Sequence, residues 1–196
     1  MNKERDREQS EDKLINAVGE LIAEVGFEGL GVNQVAKHAG FSKNLIYRYF
    51  ESLDGLIYAY MKKNDFWLNA PMEMPETADI RSYLKAFYRR EIVEFRASIA
   101  LKRLRRWELS TDKEFVVQLR AQREQKGVHF MHMMSQFAKA DKAQIQAISA
   151  LLDAGIVYLA IFEENCQMYN GIDIQSDEGW QQIAQGIDLL VDIMIK

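Results

Sequence analysis

Apolar residues recur at intervals of three and four along nearly the whole chain, the spacing of helices that each bury one face. Leu14, Val18, Leu21, Ile22 and Val25 predict a first helix ending at Gly26, where a left-handed cap is expected. Val32, Val35, Ala36 and Ala39 predict a short second helix stopped by Gly40, and Ser42 is placed to cap a third that runs to Phe50. A fourth starts at Ser52, carries Leu53, Leu56, Ile57, Tyr60 and Met61, and is expected to end at Phe66 and Trp67. The only two prolines, Pro71 and Pro75, then break the pattern and mark a connection. Beyond them Ile80, Leu84, Phe87 and Phe95 predict one helix, and residues 99–107 a short one before Ser110, Thr111 and Asp112. Long helices follow from about 113 to 138 and from about 142 to 169, the latter stopped by Asn170 and Gly171. After a loop at 171–179, Trp180, Ile183, Ile187, Leu190, Val191 and Met194 predict a final amphipathic helix. No stretch alternates with a two-residue period over enough length to read as a strand. The expectation is an all-α protein of about nine helices, divided into residues 1–68, a proline-containing linker at 69–79, and a helical domain at 80–196.

Composition narrows the class. The 196 residues are 48% hydrophobic and 28% charged, enough for a packed core and unlike a disordered chain. The longest unbroken apolar run, 154–162, is far short of the ~18 residues expected of a spanning helix, so no membrane segment is expected. The charged amino terminus has no apolar stretch that reads as a signal peptide, and a cytoplasmic location is expected. A single cysteine, Cys166, supports neither an internal disulfide nor a zinc site and is expected to be a small buried residue.

A net charge of −4 argues against a protein that coats nucleic acid nonspecifically, but the positive charge is local. Residues 29–50 contain no acid while Lys37, Lys43 and Arg48 give +3; a second basic stretch at 81–106 gives +7. The first stretch coincides with the helix, glycine turn and helix of residues 32–50, a helix-turn-helix pattern. Ala36, Ala39 and Gly40 are small where two helices must approach, Ile46 and Phe50 form a core pair, and Lys43, Asn44, Tyr47 and Arg48 lie away from that pair. On pattern alone, a three-helix unit that never touches DNA remains open.

The run AVGELIAEVGFEGLGVNQVAKHAGFSKNLIYRYFESLDGLI resembles the amino-terminal DNA-binding domain of the tetracycline-repressor-like (TetR) regulators. Ala17, Leu21, Gly26, Phe27, Gly29, Val32, Val35, Ala36, Ala39, Gly40, Ser42, Tyr47, Phe50, Ser52 and Leu56 stand where that family's pattern has them. The resemblance implies a dimeric regulator, most often a repressor, that binds double-stranded operator DNA and is released by a small-molecule effector. It implies phosphate-contacting or supporting roles for Ser42, Lys43, Tyr47 and Tyr49, and base-reading roles for Asn44, Leu45 and Arg48. Lys37 joins them as a basic DNA-binding candidate or is a solvated charge. Three departures stand out: Leu30 and Gly31 replace a threonine and serine before the second helix, Leu53 replaces a frequent lysine, and Asn44 a frequent glycine.

Downstream, aromatic and methionine side chains are dense, and Tyr83, Phe87, Trp107, Phe130, Met134, Tyr158 and Phe162 are expected to line a mostly apolar ligand cavity, with Arg103 or Arg106 meeting an acidic group at its mouth. The run KRLRR at 102–106 otherwise reads as a solvated face. His129 and His132 share a helical face with Glu124 near in sequence, but no third ligand is identifiable and no metal or cofactor is expected. No nucleophile, phosphate-loop or dinucleotide motif occurs, so the expectation is not an enzyme. Leu152, Leu159, Trp180, Ile187, Leu190 and Met194 give the last two helices more apolar surface than one subunit readily covers, which predicts a homodimer through those helices. The alternative reading is a helical small-molecule-binding or enzymatic protein that keeps a degenerate DNA-binding domain.

Overall fold

The computed structural model describes residues 2–27, 29–70, 79–138 and 141–195. The proline-containing connection therefore falls largely outside the described residues. The elements are α1 (Asn2–Val25), α2 (Val32–Ala39), α3 (Lys43–Phe50), α4 (Leu53–Lys63), the one-turn α5 (Phe66–Asn69), α6 (Ile80–Ala97), α7 (Ile99–Glu108), α8 (Glu114–Ala138), α9 (Lys142–Phe162), a two-stranded hairpin β1 (Met168–Tyr169) and β2 (Ile172–Asp173), and α10 (Asp177–Met194). The architecture is all-α, as the periodicity predicts.

Two compact units are present, residues 1–69 with 99–122, and 70–98 with 123–196. This division differs from one drawn at the prolines, because α7 and the start of α8 pack with the amino-terminal helices. In that unit Leu14, Val18, Leu21 and Ile22 of α1 share a core with Val35, Ile46, Leu56 and Met61, and with Leu104, Val116 and Leu119. The basic run on α7 is consequently not a solvated face. Lys102 is buried, and the Arg103 guanidinium donates to the carbonyls of Ile22 and Ala23 at 3.1 and 2.8 Å, satisfying the open end of α1. Arg105 lies 3.1 Å from Glu108 and 3.8 Å from the buried Asp65. Trp107 stacks on Phe27 with centroids 3.8 Å apart.

The helix expected to run from Ser52 to Trp67 is broken after Lys63, and polar side chains explain the break. The Asn64 amide donates to the Tyr60 carbonyl, and Asn69 folds back onto the carbonyls of Lys62, Lys63 and Asp65. The Asp65 carboxylate then accepts from Leu68 N–H at 2.9 Å and opens α5 as a new cap. Such short polar side chains compete with the helical ladder for backbone partners.

In the carboxy-terminal unit α6 packs against both α9 and α10. Along α6 and α10 the polar contacts descend in antiparallel order: Arg81 to the Ile195 carbonyl, Lys85 to Asp192, Arg89 to Asp188, and Arg96 to Asp177. Trp180 anchors the start of α10; its indole N–H is shared between Glu163 at 2.8 Å and the Ile174 carbonyl at 2.7 Å, with Arg96 over its ring. The helix expected to reach residue 169 ends at Phe162 instead. Asn170 and Gly171 have φ of 49° and 81°, so they form a tight hairpin turn and not a helix stop. Cys166 in the preceding loop is half-buried, its thiol 3.3 Å from the Met168 carbonyl, not the buried core residue expected.

α9 also differs from what its longest apolar run suggests. An 18-residue window of mean hydropathy 1.9 makes it long and apolar enough, by length and composition, to cross a membrane. Its buried side, Ile145, Ser149, Leu152, Ile156 and Ala160, is one stripe only. Leu151 at 74% and Tyr158 at 51% exposure lie outside that stripe, as do Leu189, Leu190 and Ile193 on α10. Leu152, Trp180, Ile187 and Met194, expected to contribute to an apolar surface, are buried inside the subunit.

Candidate nucleic-acid interface

The turn between α2 and α3 is set by backbone chemistry. Gly40 adopts φ 74°, its N–H reaching the Lys37 carbonyl at 3.2 Å while Phe41 N–H reaches that of Ala36 at 2.9 Å. This pair of bonds is a Schellman closure, which needs a left-handed residue at that point, and glycine supplies it without a Cβ penalty. Phe41 then packs onto the core and α3 starts at once. Ser42 sits at the cap position of α3, but its hydroxyl makes no cap bond, unlike the expectation, and it is exposed.

One side of α3 is fixed and the other is open. Ile46 is fully buried, with Leu45, Tyr49 and Phe50 packed against the same core. Lys43, Asn44, Tyr47 and Arg48 are exposed, at positions that a helix places on one face. Lys37, in the last turn of α2, is exposed as well. Of the eight expected contact residues, Lys37, Ser42, Lys43, Asn44, Tyr47 and Arg48 therefore present side chains to solvent, whereas Leu45 and Tyr49 are half-buried and serve packing.

Tyr49 has a second role in that packing. The guanidinium of Arg48 lies 5.9 Å from its ring centroid and that of Arg7, from α1, lies 5.2 Å from it. Arg7 is thus brought beside the exposed face of α3 across forty residues of sequence, a proximity that no local pattern signals. Its hydrogen bond to Glu11, and then the charge of that carboxylate, push its pKa up. His38 is tied to Glu20 at 2.7 Å, which joins α2 to α1.

The start of α4 completes the surface. Ser52 accepts from Gly55 N–H at 2.9 Å, the cap that the sequence predicts. Gly55 is required by space: a Cβ there would stand 2.1 Å from the Phe50 carbonyl oxygen. Leu53 and Leu30, two of the departures from the family pattern, pack against the core. Where Leu53 removes a lysine, Lys113 from the start of α8 pairs with Asp54 at 2.6 Å. Lys113 also lines a cleft of about 380 Å³ with Ser52, Gly55, Tyr58 and Phe115.

The residues expected to line a ligand cavity are not brought together as one set. Trp107 belongs to the amino-terminal unit, stacked on Phe27. In the other unit Phe87 stacks on Phe130 at 5.1 Å, Tyr83 lies 6.3 Å from Phe130, and Met134 is buried. Tyr158 and Phe162 stack at 5.4 Å and both meet Tyr169, a partner the sequence reading did not include. Arg103 is engaged with the end of α1. His129 and His132 are exposed on α8, with His132 3.2 Å from the Gln136 amide.

The family model for bacterial regulatory proteins of the tetR family matches residues 14–60, which span α1 to most of α4. Among solved structures, the fold is similar to that of a TetR transcription regulator from Haloarcula marismortui, with TM-score 0.75 and 14% identity over 96% of this chain and 100% of that one. It is similar to the fatty acid degradation regulator FadR from Bacillus halodurans, with TM-score 0.68 and 18% identity over 92% and 96% of the two chains. A putative TetR-family transcriptional regulator from Vibrio parahaemolyticus matches with TM-score 0.64 and 17% identity over 95% and 99%. At these identities the likeness establishes the fold. No curated protein matches the chain by sequence.

Proposed function

Residues 14–60 belong to the tetR family of bacterial regulatory proteins, which makes the chain a DNA-binding transcriptional regulator, and from that premise we propose that it is a cytoplasmic homodimeric repressor released from a near-palindromic operator by a small, largely apolar effector. The observation that carries this reading is the division of α3. Ile46 locks one side into the core while Lys43, Asn44, Tyr47 and Arg48 stand exposed together on the other. A helix so anchored enters a major groove with Asn and Arg able to pair with adenine and guanine edges. Lys43, Lys37, Arg7 and Lys113 surround it with charge for phosphates, Lys113 standing in for the absent lysine at Leu53.

Dimerisation is supported by the exposed apolar side chains of the last two helices. Leu151 on α9 is joined by the exposed Ala147 and Ala154, and Leu189, Leu190 and Ile193 on α10 by the exposed Gly186. Small residues among large ones let helices of a second copy approach closely and form a four-helix bundle with two-fold symmetry. This pairing also accounts for the apolarity of α9 without a membrane. The titles of related regulators support an effector-responsive role, since the Bacillus halodurans protein is a regulator of fatty acid degradation.

Selection of bound duplexes from a random pool, at stated salt, tests the reading. Enrichment of a near-palindromic sequence is expected; recovery of a pool no different from the input overturns it.

A further inference from the structure

Two hydroxyl groups are buried in the carboxy-terminal unit without a formed hydrogen bond. Tyr88 of α6 is 1% exposed and Ser149 of α9 is 5% exposed, and neither hydroxyl oxygen has a partner. They neighbour one another where α6 packs on α9, and the carboxylates of Glu91 and Asp153 act on the same tyrosine oxygen. Glu91 is completely buried. Burial above all, and then these carboxylates, push the Tyr88 hydroxyl far above the ordinary tyrosine range, so it stays protonated. Rings flank the cluster: Phe87 meets Tyr88 edge to face at 5.5 Å and stacks on Phe130.

A helix contact serving stability alone gains nothing from these groups. Phenylalanine and alanine at 88 and 149 would fill the same space without stranding two oxygens, since buried polar groups almost always find partners. The two hydroxyl oxygens both accept hydrogen bonds, the two carboxylates make the potential negative, and the ring faces favour a cation. An anionic head would meet repulsion here, whereas an ammonium has three donors to match this set.

We propose that the cluster of Tyr88, Ser149, Glu91 and Asp153 receives the ammonium head of an amphipathic amine whose apolar body lies among the neighbouring rings. The inference rests on the regulator reading above and names the chemical class of its effector. It places the polar end of the ligand between α6 and α9, and it reverses the charge expected from Arg103 and Arg106.

The test uses the full chain with n-decylammonium as probe, below its micelle concentration, and decanoate as the matched anion, both followed by calorimetry. Tyr88→Phe and Ser149→Ala keep the shape and remove one stranded hydroxyl each, so the melting temperature of the free protein is expected to hold or rise. Decylammonium is expected to bind, and each variant to weaken it about tenfold, the effect of one lost hydrogen bond. Decanoate is expected to bind at least about tenfold more weakly than decylammonium. Four results overturn the proposal: decanoate binding as tightly, no binding of decylammonium, variants that leave its affinity unchanged, or variants that lower the melting temperature, which would mark the hydroxyls as a structural pair. Duplex selection on the same preparation separates the two readings. Selected DNA without amine binding defeats this inference alone; amine binding without selected DNA defeats the regulator reading and leaves the site.

Discussion

At the scale of single residues, the division of labour on α3 makes distinguishable predictions. Asn44 and Arg48 carry side chains that can pair bidentately with a base, a geometry that contributes roughly 1 to 3 kcal/mol of discrimination. Asn44→Ala and Arg48→Ala are therefore expected to relax preference at particular positions of the selected operator. Lys43→Ala should instead weaken all duplexes alike and flatten the dependence of affinity on salt by about one unit of slope. Titrations of specific and random duplexes at several salt concentrations check both. Equal loss on both duplexes for Asn44→Ala and Arg48→Ala would show that neither reads sequence. Arg48 also leans on Tyr49, so Tyr49→Ala acts through the orientation of Arg48 more than through a contact of its own.

Elements were legible where one local rule decided them. The apolar spacing of α1, the glycine closure of α2 and the Ser52 cap of α4 depend on residues within a turn of each other, and all three are present. Where two local rules compete, the pattern alone does not arbitrate. Asn170 and Gly171 stop a helix or close a hairpin with equal ease, and the strand pairing of Met168 with Asp173 settles it. Apolar residues continue past Lys63 at helical spacing, yet Asn64 and Asp65 divert the backbone. Burial of α7 was not legible at all, because Lys102, Arg103 and Arg105 read as a wet face until α1 supplies carbonyls and Asp65 a counter-charge. The candidate DNA surface followed the same rule: its α3 residues were readable, whereas Arg7 and Lys113 arrive through tertiary packing.

Asp65 gives this scale its test. It caps α5 and lies 3.8 Å from Arg105, with a side chain that is 0% exposed. Removing one partner of such a pair leaves a buried charge, and Asp65→Ala is expected to cost about 3 kcal/mol. Asp65→Asn keeps a capping oxygen and should recover roughly 1 kcal/mol of that. Denaturant unfolding followed by circular dichroism gives the order, the parent chain most stable and the alanine variant least.

For the molecule as a whole, the open question is what covers the outward side of α9 and α10. A chain of 22.7 kDa is expected to sediment at twice that mass at micromolar concentration. Leu189→Glu combined with Leu151→Glu places charges at two of the most exposed apolar positions, 65% and 74% accessible, without touching the subunit core. The double variant should sediment as a monomer, keep its helical circular dichroism, and lose operator affinity because two half-sites about 34 to 36 Å apart then no longer share one binding event. A parent chain that sediments as a monomer defeats the dimer outright.

The amino-terminal core borrows Ala100, Leu104, Val116 and Leu119 from chain that follows the intervening α6. On the ribosome, helices α1 to α5 emerge first, yet their shared interior stays open until residue 119 has also cleared the exit tunnel. The DNA-reading part is thus not a detachable cassette: its maturation waits for α6 to be synthesised, so a nascent chain acquires a complete helix-turn-helix support only after the first helix of the other unit has been made.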